Sequence, residues 1–302
     1  MPVRGEQSSN PVTRPVLRAG ELQGSMNHVP SWGKAIDGLF AARATERKRT
    51  AIDIFNLPTK GLLILFALLF GAIALLYATV GQAGGTAFLA VMAFAAFPAS
   101  EMRPTALALN IVAATYSTWV FNRNKVVDWR KLRPLLLSSV PAALAGGFIV
   151  LDDHVYKTTT GVVLLLAGAA MIVRRNGAAD PDRETPLWGG LSVGAGVGLV
   201  SGLTGVGGGV FLAPILIALH WASPKQTAAL SAPFILANSA VGLVGVLFAG
   251  QFPSPHFGLY AIAALGGAMV GTAIGLRWLS QAATRFVLAA ILLAAGIQLV
   301  LV

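Results

Sequence analysis

Two glycine-rich stretches lie inside otherwise apolar sequence, "VGQAGGTAFLAVM" at 80–92 and "TGVGGGVFLAPIL" at 204–216. Glycine costs roughly 0.5–1 kcal/mol relative to alanine inside a helix, so both stretches predict a break followed by a fresh helix start. A helix that begins within a membrane presents unpaired N–H groups carrying partial positive charge. Glycine also lets a ligand approach that backbone closely. The chemistry this suits is the binding of an anion without any fixed charge. Candidate binding residues are Gly81, Gln82, Gly84 and Gly85 in the first stretch, and Thr204, Gly207, Gly208 and Gly209 in the second.

Further polar side chains interrupt the apolar runs: Asn110, Ser117, Ser139, Ser231, Asn238 and Ser239. Asn110 and Ser231 fall at nearly equivalent places downstream of the two clusters, in "RPTALALNI" (103–111) and "KQTAALSAP" (225–233). They join the candidate site, as does Asn238. Each of the six also has a plainer use, a hydrogen bond across a helix pair worth about 1 kcal/mol. Ionisable residues keep to segment ends, namely Glu101, Arg103, Asp152, Asp153 and Lys225. Proton coupling is therefore expected to travel on the substrate or through Glu101. The chain has no cysteine, and its four histidines are scattered, so no metal and no cofactor is expected. The absence of GxSxG, HExxH and paired intramembrane carboxylates argues against an enzyme.

The elements that must position these residues are membrane helices. Hydrophobic residues make up 55% of the chain and charged residues 11%, against about 25% charged in soluble domains. Ten apolar segments follow residue 60, at 61–80, 84–97, 104–121, 134–151, 157–174, 187–204, 207–220, 226–249, 257–276 and 281–302. The second and seventh have 14 residues, a reach of about 21 Å against a hydrocarbon core of about 30 Å. Their matching positions and matching glycines indicate an internal repeat, with halves at 61–175 and 187–302 and a polar linker at 176–186.

Charge sets the expected topology. The loop "NRNKVVDWRKLR" (122–133) carries five basic residues and one acid, while "LDDH" (151–154) is acidic. If the two short segments re-enter without crossing, this basic loop falls inside with the tail, as the positive-inside bias requires. The expected fold is thus an all-α polytopic membrane protein with both termini cytoplasmic. Each half supplies four transmembrane helices and one short re-entrant or half helix, and the halves form a parallel pseudo-two-fold repeat. Residues 1–60, with nine Lys/Arg against five Asp/Glu, read as a mostly disordered basic tail without a secretory signal. The net charge of +10 follows the loops and the tail and does not indicate a nucleic-acid partner. Gly267, Gly271 and Gly275 form a GxxxGxxxG stripe that fits packing within the bundle or against a second protomer as a homodimer.

"GVGGGVFLAPIL" followed by "SPKQTAALS", with "RPTALALNIVAATYS" and "VDWRKLRPLLLSSVPAALAGG" in the first half, resembles the sulfite exporter TauE/SafE family over residues 61–302. The resemblance implies a bacterial inner-membrane permease that moves small sulfur-containing anions, usually outward. It assigns the family's glycine turns to Gly81–Gly85 and Gly205–Gly209 and a polar position to Ser231. The leading expectation is export of sulfite or a related sulfonate through the lipid bilayer. Uptake of a small carboxylate is the alternative, and a structural subunit without transport a weaker one.

Overall fold

The computed structural model describes residues 59–173, 185–275 and most of 289–301. The basic tail expected up to residue 60 and most of the linker lie outside the described residues. Among those described there is helix and no strand. The order is α1 Thr59–Ala78, α2 Gly85–Phe94, α3 Ala99–Arg123, α4 Trp129–Phe148, α5 Asp153–Val173, α6 Leu187–Thr204, α7 Gly209–Ala218, α8 Pro224–Phe248 and α9 Phe257–Gly275. Four of them, α1, α6, α8 and α9, are long and apolar enough to cross a membrane.

The short elements are shorter than their apolar runs. α2 and α7 have ten residues each, about 15 Å. Each is cut at both ends by left-handed backbone. Gly84 (φ 109°) and Gly208 (φ 77°) precede the starts, and Ala96 (φ 54°) and His220 (φ 58°) follow the ends. Two long helices start on side-chain caps, whereas α3 and α6 start behind Pro98 and Pro186 without one. Asp128 accepts from the N–H groups of Arg130 and Lys131 ahead of α4, and Ser223 and Gln226 form a capping box ahead of α8.

Glycine contacts give the directions. A Cβ on Gly194, Gly198 or Gly202 would run into the carbonyl oxygens of Leu135, Ser139 and Ala143, so α4 and α6 are parallel and nearly in backbone contact. In the same way Gly267, Gly271 and Gly275 of α9 rest on the carbonyls of Gly71 and Leu75 of α1 and of Thr79 just past its end. The stripe considered for a second protomer is thus occupied by the chain's own first helix. Ser117 and Thr272 share a 3.0 Å hydroxyl bond, and Thr105 accepts from the Ser254 N–H, which sets α9 parallel to α3. By contrast Leu107 meets Gly242, and Asn110 and Ser239 meet at Gly207. Numbers rise on α3 as they fall on α8, so these two helices are antiparallel.

The expectation of two halves in one orientation is therefore corrected. α1 and α3 point one way, and their counterparts in the order of the chain, α6 and α8, point the other. The cause is the pass made by α2. Phe66 of α1 packs edge-on against Phe97 at 5.6 Å, Phe70 against Phe88, and Tyr77 bonds Thr86. α2 thus runs back along α1 and, with its lead-in, returns the chain to the end where α1 began. The short segment reverses the direction of the chain.

The same geometry corrects the topology. α1 begins at the end of the bundle that holds Ala99 and Ile149, and the loop after α3 lies at the opposite end. A cytoplasmic α1 entry and a cytoplasmic 122–133 loop are incompatible. Residues near the C-terminus return to the α1 end, since Gly168 faces Ala289 and Leu293 while Gly161 faces Gly296 and Val300.

Candidate functional site

The site is assembled where the two glycine turns meet. Gly81 and Gly84 before α2, and Gly205, Gly207 and Gly208 before α7, all have positive φ between 74° and 109°. Only glycine adopts such a run without strain. Neither Gly84 nor Gly208 is replaced by a capping side chain, and no side chain caps either helix start. The first N–H groups of α2 and α7 therefore have no intrahelical partner and no side-chain cap.

Asn110, carried about three turns into α3 and fully buried, sits between the two glycine turns. Its Nδ2 lies 3.4 Å from the carbonyl oxygens of both Gly205 and Val206. A Cβ on Gly85, the first residue of α2, would overlap the Asn110 amide and the Val206 carbonyl. A Cβ on Gly207 would stand 2.6 Å from Asn110 Nδ2 and 3.1 Å from Ser239 Oγ. Asn110 Oδ1, Ser239 Oγ and Ser201 Oγ are buried with no hydrogen-bond partner among the described residues. Unpaired buried polar atoms are costly. Here three of them surround one bare loop.

The remaining candidate residues sort around this point. Gly208 faces Phe234 and Val197, with the Ser201 Cβ 3.4 Å away from where its own would stand. Gly209 faces Ile235, and Ser231 is only grazed at 3.7 Å. Gly84 faces Ile73 and Phe88, and Gly81 rests on the Ala228 backbone. These last two serve close packing of the turn. Gln82 is buried with Oε1 unpartnered. Thr204 Oγ1 donates to Val200 O at 2.7 Å and accepts from the Val206 N–H, shaping the second turn. Ser231 bonds Thr227 O within its own helix. Asn238 donates to Phe234 O, leaving its Oδ1 unpartnered. Asn110 and Ser231 are not counterparts. Asn110 faces the start of α2, and the side chain facing the start of α7 is Ile235.

Arg103, expected at a segment end, is wholly buried, at 1% exposure. Its Nε donates to Gly202 O at 2.9 Å, Nη1 to Ile149 O at 2.9 Å, and Nη2 to Gly147 O at 2.8 Å and to Gly146 O. These carbonyls form the C-terminal ends of α4 and α6, where the helix dipoles are negative. Tyr156 donates to the next free carbonyl, Thr204 O, at 3.0 Å. No carboxylate forms a salt bridge with Arg103 among the described residues. The sequence signal was the Gly146–Gly147 pair. Glycines at a helix end leave the carbonyls open to a long donor.

Comparison with known proteins adds a name to this geometry. The family model described as Sulfite exporter TauE/SafE matches residues 64–299. The chain is similar to the "Probable membrane transporter protein y4hK" of Sinorhizobium fredii (strain NBRC 101917 / NGR234). The two are 36% identical over 237 residues, which cover 77% of this chain and 96% of the relative. No solved structure matches.

Proposed function

The chain belongs to the sulfite exporter TauE/SafE family of membrane transporters, and from that premise we propose that it carries a small anion, sulfite or a related sulfonate, outward across a bacterial inner membrane. The observation that carries this reading is the buried Asn110 amide between two uncapped, glycine-led helix starts. Two helix N-termini and partnerless hydroxyls offer N–H and O–H donors to an anion in place of water. Export of one negative charge from a negative interior gains about 2.3 kcal/mol per 100 mV.

The opposed directions of α3 and α8 support an inverted repeat built on 61–175 and 187–302, with a pseudo-two-fold axis in the membrane plane. Rocking one half against the other around the fixed glycine turns would then expose the site to each side in turn. Uptake of a small carboxylate uses the same donors and is the second reading.

The loop end of the bundle, bearing Arg123, Lys125, Arg130, Lys131 and Arg133, is assigned to the cytoplasm, and the Asp152–Asp153 end to the outside. The tail, net +4, pulls the other way, but long segments obey this bias less than short loops do. The chain has no cysteine, so single introduced thiols report sidedness cleanly. In intact cells Asp152→Cys is expected to react with a membrane-impermeant maleimide, and Lys125→Cys only after lysis. The reverse pattern would invert the assignment.

Transport is tested in proteoliposomes preloaded with sulfite, with and without an imposed potential. Wild type is expected to release sulfite faster when the inside is negative, and Asn110→Ala to slow release about tenfold or more. A buried hydrogen-bonding group of this kind contributes about 1–3 kcal/mol, and 1.4 kcal/mol is tenfold. A folded wild type that moves no sulfite would move the substrate assignment to carboxylates.

A further inference from the structure

We infer that the anion carried is a protonated monoanion, the hydrogen form of a dibasic oxyanion, and that Asn110 Oδ1 selects it by accepting its O–H. The inference rests on the transport reading above and names the substrate class of that same site.

The argument starts from the orientation of one amide. Asn110 Nδ2 lies 3.4 Å from two carbonyl oxygens, Gly205 O and Val206 O. Turning the amide over would press Oδ1 against both of them. The amide nitrogen is therefore held on the carbonyl side, and Oδ1 is left as the free atom. It is buried, has no partner among the described residues, and lies 2.8 Å from where a Cβ on Gly85 would stand, beside Nδ2, which would be nearer still. An amide oxygen accepts and cannot donate.

A fully deprotonated oxyanion has only lone pairs to offer, and these repel Oδ1. A hydrogen oxyanion has one O–H for Oδ1 and keeps its remaining oxygens for the helix-start N–H groups and the Ser239 hydroxyl. Charge points the same way. Arg103 borders Gly205 through its backbone and Cγ, but its guanidinium is turned to four carbonyls at the ends of α4 and α6, so among the described residues no cationic group donates into the glycine turns. The cost of burying an ion grows with the square of its charge, so a dianion costs roughly four times as much here as a monoanion. Each outward step then carries one proton with each anion. No titrating side chain is needed at the site.

The test uses purified full-length protein in proteoliposomes and two probes. Sulfite has a second ionisation near neutrality, and methanesulfonate has none. Sulfite flux per total sulfite is expected to fall as pH rises, in step with the hydrogen sulfite fraction. At a pH well above that second ionisation a pH dye should register close to one proton per anion, and methanesulfonate should move at under a tenth of the rate with no pH slope. Asn110→Ser, whose hydroxyl can donate as well as accept, is expected to raise the methanesulfonate-to-sulfite ratio several-fold. Sulfite flux that is flat or rises with pH overturns the inference. So does a flat flux that requires sodium, which would put a cation on Oδ1 instead of a proton. No movement of any anion at any pH overturns the transport reading and this inference together, whereas a pH-independent flux overturns this inference alone.

Discussion

Arg103→Met is expected to abolish recovery of folded protein. The guanidinium ties α3 to two helix ends, since Gly146, Gly147 and Ile149 close α4 and Gly202 lies in the last turn of α6. Methionine fills similar volume but leaves four carbonyls facing an apolar side chain. Each buried unpaired group costs about 1–3 kcal/mol, and the total rivals the whole stability of an ordinary domain, about 5–15 kcal/mol. Water has no easy access to a residue 1% exposed. Lysine keeps the charge but gathers its donors at one point, so it reaches fewer of the four oxygens. Arg103→Lys should therefore fold with a lowered melting temperature. The measurement is the monodisperse fraction in detergent, followed by thermal unfolding. A fully stable Arg103→Met protein would mean that the helix ends close on one another, and the latch assigned here would fall.

The latch also bears on the site. Gly202 lies three residues before Gly205, and a Cβ on Gly205 would stand 3.0 Å from the Arg103 carbonyl. The second glycine turn is thus seated on the backbone of the residue that grips α6 just before it. At the corresponding contact on the other turn, Gly81 rests on Ala228, which has no side chain to grip anything. The two ends of the bundle are closed by different chemistry although the turns are alike.

Glycine spacing made the breaks legible in the sequence, because positive φ and uncapped helix starts follow from local chain geometry. The apolar runs gave the helices for the same reason. Helix direction was not legible. The expectation turned on whether a 14-residue run returns the chain or dips and comes back, and both readings have the same composition. What decides is contact, Phe66 with Phe97 and Tyr77 with Thr86. Arg103 was missed because charge at a segment end normally faces water. The carbonyls that hold it come from residues 43 to 99 positions away. Ser239 stood in the sequence beside Asn238 with no local sign of which one faced the loop. A match of residue type along the chain does not fix which turn of the helix meets Gly209, and there Ile235 lies nearer than Ser231.

Gly85→Ala is expected to leave the protein folded and to stop transport. Gly85 has ordinary helical backbone, unlike Gly84 and Gly207, and alanine is the better helix former by up to about 1 kcal/mol. The added methyl meets no lipid and no packing side chain. It points into the Asn110 amide and the Val206 carbonyl, the centre of the candidate site. Moving Asn110 aside breaks its contacts with Gly205 O and Val206 O, and overpacking of this kind costs about 1–3 kcal/mol. The Val206 carbonyl must give way as well, and the helix preference offsets only part of the cost, so melting should fall by a few degrees while the protein still folds. Affinity bears the rest and should fall about tenfold to a hundredfold. Gly198→Ala is the control, since its methyl meets the Ser139 backbone on α4, away from the turns, and should lower stability. The pair separates glycine as packing from glycine as site. If Gly85→Ala unfolds the protein while keeping residual flux per folded molecule, the first turn is only a packing element. A folded, silent Gly85→Ala puts the anion against the start of α2.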